Sequence, residues 1–194
     1  MITDTNTISK PKHRYVDALK VAIEIHSQLK RWCLPGYCKV AGSLRRGKAM
    51  VSDIELLYVP QTRKEPDGLF ETQLINLTDV TIDEWLRDGY LEKRPSKLGS
   101  YAWGGKNKLA VHVESGTPVD LFATTIENWW VSLVIRTGSK ETNLQLTTGA
   151  QKQGATLNAY GNGVTWSDNT HTAATSEEHV FELCGVPYKE PRDR

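Results

Sequence analysis

Between Val40 and Pro60 the chain reads Val-Ala-Gly-Ser-Leu-Arg-Arg-Gly-Lys-Ala-Met-Val-Ser-Asp-Ile-Glu-Leu-Leu-Tyr-Val-Pro. Asp53 and Glu55 alternate there with Ile54, Leu56 and Tyr58. Successive side chains of a strand point to opposite faces, so the two carboxylates share one face about 7 Å apart while the apolar residues enter a core. A third carboxylate, Asp120, lies in the apolar run Pro118-Val119-Asp120-Leu121-Phe122. Three carboxylates brought to one point repel, at a cost on the order of 4 kcal/mol for each pair at ~4 Å in an effective dielectric near 20. Such a cluster persists by taking up protons or by binding divalent cations, and a ligand set made only of oxygen favours magnesium or manganese. Upstream, Gly42-Ser43 ends an apolar strand and opens a short basic turn, which can present backbone N–H groups to an anion. One segment thus offers a phosphate cradle beside a hard-cation site.

The elements that position these groups follow from periodicity. Val16, Leu19, Ala22, Ile23 and Leu29 recur at near-helical spacing, which predicts an amphipathic helix over Tyr15–Trp32 packed on the sheet. Leu34-Pro35-Gly36-Tyr37 reads as a turn before a strand from Cys38. Residues 60–80 read as a long loop, followed by a short helix over Thr81–Asp88 with Thr81 as its cap. Tyr90–Arg94 and Lys108–Glu114 alternate as strands, and the Ser115-Gly116-Thr117 turn returns Asp120 beside the second of them, toward Asp53 and Glu55. His112 in that strand reads as structural. A helix over Thr125–Ile135 opens a second lobe, with Trp129 and Trp130 read as core. Thr137-Gly138-Ser139 breaks that helix, and another follows over Asn143–Gln153. Gly161-Asn162-Gly163 marks a hairpin between Thr156–Tyr160 and Val164–Ser167. Ser176 caps a last helix that ends at Gly185.

Taken together, Gly-Ser, then Asp-x-Glu ten residues on, then a strand aspartate resembles the nucleotidyltransferase superfamily. Gly42-Ser43-Leu44-Arg45-Arg46-Gly47, Thr137-Gly138-Ser139 with Asn143 beyond it, and Tyr188-Lys189-Glu190-Pro191 narrow the resemblance to family X DNA polymerases, over about residues 12–194. It implies an α+β fold: a nucleotidyltransferase palm over residues 1–124, a mixed sheet with helices on one face, and a small carboxy-terminal α/β lobe over 125–194 that binds nucleotide and DNA. It implies two magnesium ions, for which manganese substitutes, with Asp53 and Glu55 on both and Asp120 on the catalytic one. Asp120 is then the group that takes the proton from a primer 3′-hydroxyl.

The resemblance also assigns Gly42, Ser43 and Arg46 to the triphosphate. Thr137, Gly138 and Ser139 fall to the nucleotide sugar and Asn143 to the base edge, with Arg136 also in the nucleotide-binding set. Read without it, Ser139 serves equally as a helix cap and Asn143 as a surface residue. Two departures stand out. The family's second acid is usually aspartate, whereas Glu55 is one methylene longer. The aromatic pair that precedes Thr-Gly-Ser in many members is Ile135-Arg136, which weakens the expected discrimination against ribonucleotides.

Composition sets the remaining bounds. Net charge is only +1, but residues 1–60 hold ten Lys/Arg against five Asp/Glu, while residues 61–194 hold fourteen against eighteen. The first third is basic although it carries two of the three proposed metal ligands, which suits a phosphate-handling surface. Lys10, Lys12, Arg14, Lys106 and Lys108 are the expected DNA contacts, with affinity falling as salt rises. Three scattered cysteines (Cys33, Cys38 and Cys184) lack zinc-site spacing and read as free thiols of a reducing, cytoplasmic compartment. No membrane partner is implied, and a monomer is expected. Too few residues precede position 12 for an amino-terminal lyase domain or helix-hairpin-helix clamps, so lyase activity is not expected.

The leading expectation is therefore a minimal polymerase adding nucleotides to a primer-template or gapped DNA. Two other readings fit parts of the sequence: a transferase acting on a small molecule or protein, which shares Gly-Ser with Asp-x-Glu, and a non-catalytic nucleic-acid-binding module.

Overall fold

The computed structural model describes residues 11–68, 71–96 and 98–194. In chain order the elements are β1 (His13–Arg14), α1 (Tyr15–Leu29), β2 (Cys33–Val40), α2 (Gly42–Arg45), β3 (Met50–Val51), β4 (Ile54–Pro60), β5 (Thr62–Asp67), β6 (Glu71–Asn76), α3 (Leu77–Arg87), β7 (Leu91–Lys93), β8 (Asn107–His112), β9 (Thr117–Ala123), α4 (Trp129–Thr137), α5 (Lys140–Lys152), β10 (Ala155–Leu157), β11 (Gly163–Trp166), β12 (His171–Ala173) and α6 (Glu177–Leu183). Among these, no helix is long and apolar enough to cross a membrane.

The main sheet has the order β2-β4-β9-β8-β7. It is mixed: β4 and β9 are parallel, and the other pairs are antiparallel. Strand alternation divides its two faces. Ile54, Leu56 and Tyr58 of β4 join Val119 and Leu121 of β9 in a core with Ala18, Ala22, Ile25 and Leu29 of α1 and Ile82 and Trp85 of α3. The opposite face carries Leu57, Val59 and Phe122, covered by Trp129 and Leu133 of α4. Helices α1 and α3 thus lie on one face, and α4, which belongs to the second lobe, covers part of the other.

The second lobe builds its own core from Val131, Val134, Leu146, Ala150, Val164, Val180 and Phe181. It combines α4, α5, α6 and the antiparallel sheet β10-β11-β12. The Ser139 hydroxyl accepts from the Thr142 N–H to cap α5, and the Ser176 hydroxyl accepts from the His179 N–H to cap α6. Ser139 thus takes the cap role its sequence position allowed.

Two local expectations are corrected. Residues 60–80 are not a loop: β5 and β6 pair as a hairpin, and α3 starts at Leu77 rather than Thr81. Its cap is Asn76, whose side chain accepts from the N–H groups of Thr78 and Asp79 at 3.0 and 3.2 Å. The hairpin strands are polar and mostly exposed, so no apolar alternation marks them. Leu34–Tyr37 is likewise no turn between elements but a bulge inside β2, where the register with β4 shifts between Cys33 and Cys38.

Candidate active site

The carboxylates are placed by one register. In the parallel β4–β9 pair Glu55 stands opposite Asp120, and Asp53 lies two residues upstream of Glu55. Register partners share a face, so all three acids lie on the side of the sheet away from α1 and α3. Burial pushes the Glu55 carboxyl up to about 7, and the charges of Asp53 and Asp120 add to that rise. Arg136 and Arg46 pull it partly back.

Asp120 is buried and ion-paired with Arg94, from the segment after β7. As the side chains stand, no three His, Cys, Asp or Glu groups among the described residues are drawn together closely enough to hold a metal ion. The expected cage is therefore not closed: Arg94 compensates one acid, and burial, with the nearby acids adding to it, leaves Glu55 with the tendency to hold a proton. The donor set nonetheless fits a hard divalent cation, which would offset both the burial and the like charges that lift Glu55.

The Gly-Ser turn sits against this group. The Ala41 N–H donates to the Glu55 carbonyl at 2.8 Å. Gly42 adopts φ +62°, and a Cβ there would meet the Glu55 carboxyl at 2.8 Å. Glycine is thus required twice, by the left-handed backbone and by the close approach. Nearby, the Ser43 Oγ, the Arg46 Nε and the Asn143 Oδ1 are buried without a hydrogen-bond partner. Buried polar atoms are rarely left so, and unpaired ones mark a place for a polar ligand.

Arg46 donates to the Thr137 carbonyl, and Gly138 lies against its guanidinium. Asn143 donates from Nδ2 to the Ile135 carbonyl at 2.8 Å, which fixes its unpaired oxygen. The Thr137-Gly138-Ser139 turn therefore adjoins Arg46, and the Gly138–Ser139 peptide is cis. Thr137 itself is fully buried, and its hydroxyl accepts from Arg45 at 2.7 Å. Thr137 thus holds two arginines, Arg45 through its hydroxyl and Arg46 through its backbone carbonyl.

Arg136 lies over the Phe122 ring, 3.6 Å from its centroid, and donates to the Tyr160 hydroxyl at 3.4 Å. These residues line a cavity of about 220 Å³ with Asn107, Asn128 and Lys106. Phe122 is two residues beyond Asp120 on the same strand face, so the cavity continues the carboxylate face toward the second lobe.

Of the expected DNA contacts, Lys10 lies outside the described residues. Lys12, Arg14 and Lys106 are exposed. Lys108 is not available: it is buried on the α3 side of the sheet, donating to Asp79 at 2.6 Å and to the Gly104 carbonyl at 3.1 Å. Even-numbered residues of β8 face that core, and a lysine there must be paired. His112 is structural as read, buried and edge-stacked on Tyr90.

Sequence reading missed Arg94 and a second cluster. Arg45 binds Glu177 of α6 through both guanidinium nitrogens, at 2.5 and 3.0 Å, and Arg194 reaches the same carboxylate at 2.8 Å. Arg194 also lies over the Phe181 and Tyr188 rings. No spacing signals a pair separated by 132 residues; only an apolar helix opening on a buried glutamate hints at it.

Residues 132–194 match the family model for the DNA polymerase beta thumb. Over 166 residues the chain is 23% identical to DNA polymerase lambda of Rattus norvegicus. That match takes in 81% of this chain and 28% of the rat protein, so the chain spans well under half the length of the relative it matches. The thumb match is confined to the second lobe, whereas the polymerase lambda match must extend into the main sheet. The chain is thus similar to family X DNA polymerases, through the polymerase beta thumb in its second lobe and, distantly, through polymerase lambda over most of its length.

Proposed function

We propose that this chain is a nucleotidyltransferase of the DNA polymerase type, its main sheet serving as the palm, which adds nucleotides to a primer 3′-hydroxyl and releases pyrophosphate. The observation that carries this reading is the placement of Glu55 beside Asp120 in the parallel register, with Gly42 against the Glu55 carboxyl. A catalytically silent binding module has no use for a buried glutamate set beside two further acids. Asp53 and Glu55 would hold both magnesium ions and Asp120 the catalytic one. When bound, the metals lower the cost of deprotonating the primer hydroxyl and neutralise charge on the leaving phosphates.

The chain's own residues do the rest. Ser43 and Arg46 bind the triphosphate oxygens with the hydrogen-bond capacity they leave unused. Asp120 accepts the hydroxyl proton. Asn143 offers its unpaired oxygen to the base edge, and Gly138 keeps the sugar side free of a side chain. Arg136 and Tyr160 close the cavity beside the acids, and Lys12, Arg14 and Lys106 supply exposed positive charge for the nucleic-acid backbone.

Primer extension with labelled dNTP and magnesium or manganese tests the reading, comparing the wild-type chain with Asp120→Asn. Extension by the wild type, reduced at least about a hundredfold in the variant, supports it. Nucleotide transfer to a non-DNA acceptor, or DNA binding without turnover in either protein, overturns it.

A further inference from the structure

Cys33 and Cys38 are the two ends of the β2 bulge. They stand opposite Pro60 and Tyr58 of β4, so five residue steps along β2 are matched to two along its partner. The surplus, containing Pro35 and Gly36 at φ +86°, bows outward. The two cysteines are thereby left as near neighbours on one face, both in the core cluster that contains Tyr58. Two steps of a strand span about 6.8 Å, the upper edge of the Cα separation a disulfide bridges. The Cys33 thiol donates to the Leu29 carbonyl at 3.2 Å.

The surroundings favour an anion at Cys38. Cys33 holds the Cys38 thiol below the usual thiol range against the opposing effect of burial, with His26 and Lys30 assisting. The His26 Nε2 lies 3.0 Å from the Cys38 carbonyl. An open cavity of about 470 Å³ reaches both cysteines, and its wall carries Lys30, Arg31 and Lys39. By contrast Cys184 is buried in the second lobe, where desolvation pushes its thiol up to about 11.

We propose that Cys33 and Cys38 form a redox-active dithiol that reacts with a small anionic disulfide of the glutathione type, admitted through this cationic cavity. The Cys38 thiolate attacks one sulfur of the reagent, forming a mixed disulfide and expelling one thiolate. The Cys33 thiol then gives up its proton to solvent, and its sulfur attacks the Cys38 sulfur. This forms the Cys33–Cys38 disulfide and expels the second thiolate, so the two protein thiols are oxidised and one reagent disulfide is reduced to two thiols. Bridging draws the bulge inward, which Gly36 permits, and excess reduced thiol reverses both steps. The proposal stands independently of the polymerase reading.

The folded wild-type chain treated with oxidised glutathione near neutral pH provides the test, with intact-mass and peptide analysis after acid quench. The expected product has lost two hydrogens and carries a Cys33–Cys38 cross-link, with Cys184 reacting at least about tenfold more slowly. Cys33→Ser should stop at a stable glutathione adduct on Cys38. A wild-type end product that keeps glutathione on Cys38 beside a free Cys33 overturns the proposal. So does reaction at Cys184 ahead of Cys38, or a folded chain whose thiols react only after unfolding.

Discussion

Arg94 is ion-paired with Asp120, and Asp120 stands opposite Glu55 in the parallel β4–β9 register. The two acids therefore meet different fates on one face. Asp120 has a guanidinium partner, whereas Glu55, against the glycine turn and between two acids, is the one that tends to stay protonated. Any divalent cation that uses Asp120 competes with Arg94 for the same oxygens. Arg94 acts through Asp120, as a positioning residue.

Replacing Arg94 with glutamine should therefore strengthen divalent-cation binding. The magnesium concentration giving half-maximal primer extension is expected to fall roughly threefold to tenfold, the equivalent of about 1 kcal/mol. A magnesium titration of wild type and Arg94→Gln at one ionic strength checks this. An unchanged or higher midpoint would show that the ion pair does not compete with the metal.

Glu55→Gln should change how stability depends on pH. The Glu55 carboxyl lies at about 7 in the folded chain against an ordinary 4.5, so the folded state holds this proton more tightly than the unfolded one. Its contribution is fully present below about 4.5 and is lost as pH rises through about 7. In chelator the glutamine variant should gain on the wild type across that window, by roughly 2–3 kcal/mol at pH 8. Magnesium should then stabilise the wild type more than the variant. Denaturant unfolding at pH 5 and pH 8, with and without the metal, measures both effects.

The difference between these two residues also marks what sequence could reveal. Asp53, Glu55 and Asp120 were legible because strand alternation ties an acid's position to its apolar neighbours, and the turn at Ser115-Gly116-Thr117 dictates the return of β9. Arg94 was not, because its partner is set by pairing across two strands: its N–H donates to the Leu109 carbonyl at 3.0 Å, and Leu109 stands opposite Asp120, which no local period encodes. Lys108 misled for the same reason in reverse. Its charge suggested a surface, but the even-numbered face of β8 is core, and Asp79 at the start of α3 compensates it. The β5–β6 hairpin left no apolar pattern because neither of its faces is covered.

Gly42→Ala should damage the site with little effect on the global fold. The new methyl would sit 2.8 Å from the Glu55 carboxyl, and the backbone at φ +62° disfavours any side chain. The flexible carboxyl can swing away, so the expected stability loss is about 1–2 kcal/mol, mostly from the backbone. Displacing Glu55 should lower kcat for extension by at least about tenfold. Circular dichroism and steady-state kinetics together separate this from simple unfolding.

Glu177→Ala should loosen the second lobe from the first. Glu177 is buried between Arg45 of α2 and the fully buried Arg194 side chain. Removing it strands two guanidinium groups in a poorly hydrated place, which costs about 3–5 kcal/mol. For a chain of this size that corresponds to a fall in melting temperature on the order of 10 °C. Glu177→Gln, which keeps acceptor geometry for Arg45 but not the charge, should lose less. Thermal unfolding of the two variants checks the order, and equal stability to wild type would mean that the Leu57–Trp129–Leu133 packing and the Arg45 and Arg46 bonds to Thr137 hold the lobes without Glu177.

Ribonucleotide acceptance tests the least family-like part of the site. Where many family X members carry an aromatic pair before Thr-Gly-Ser, this chain has Ile135-Arg136, and the Arg136 guanidinium is drawn over the Phe122 ring at 3.6 Å and toward the Tyr160 hydroxyl. The side chain is thereby held against β9 instead of standing as a wall beside the Gly138 turn. Discrimination between dNTP and rNTP should then fall below about a thousandfold, less than about 4 kcal/mol of differential transition-state binding. Arg136→Tyr, which restores an aromatic ring at this position, should raise the ratio. Single-nucleotide incorporation on one primer-template gives kcat/KM for both substrates. A wild-type ratio above a thousandfold would mean that the backbone of the Thr137–Ser139 turn alone excludes the 2′-hydroxyl.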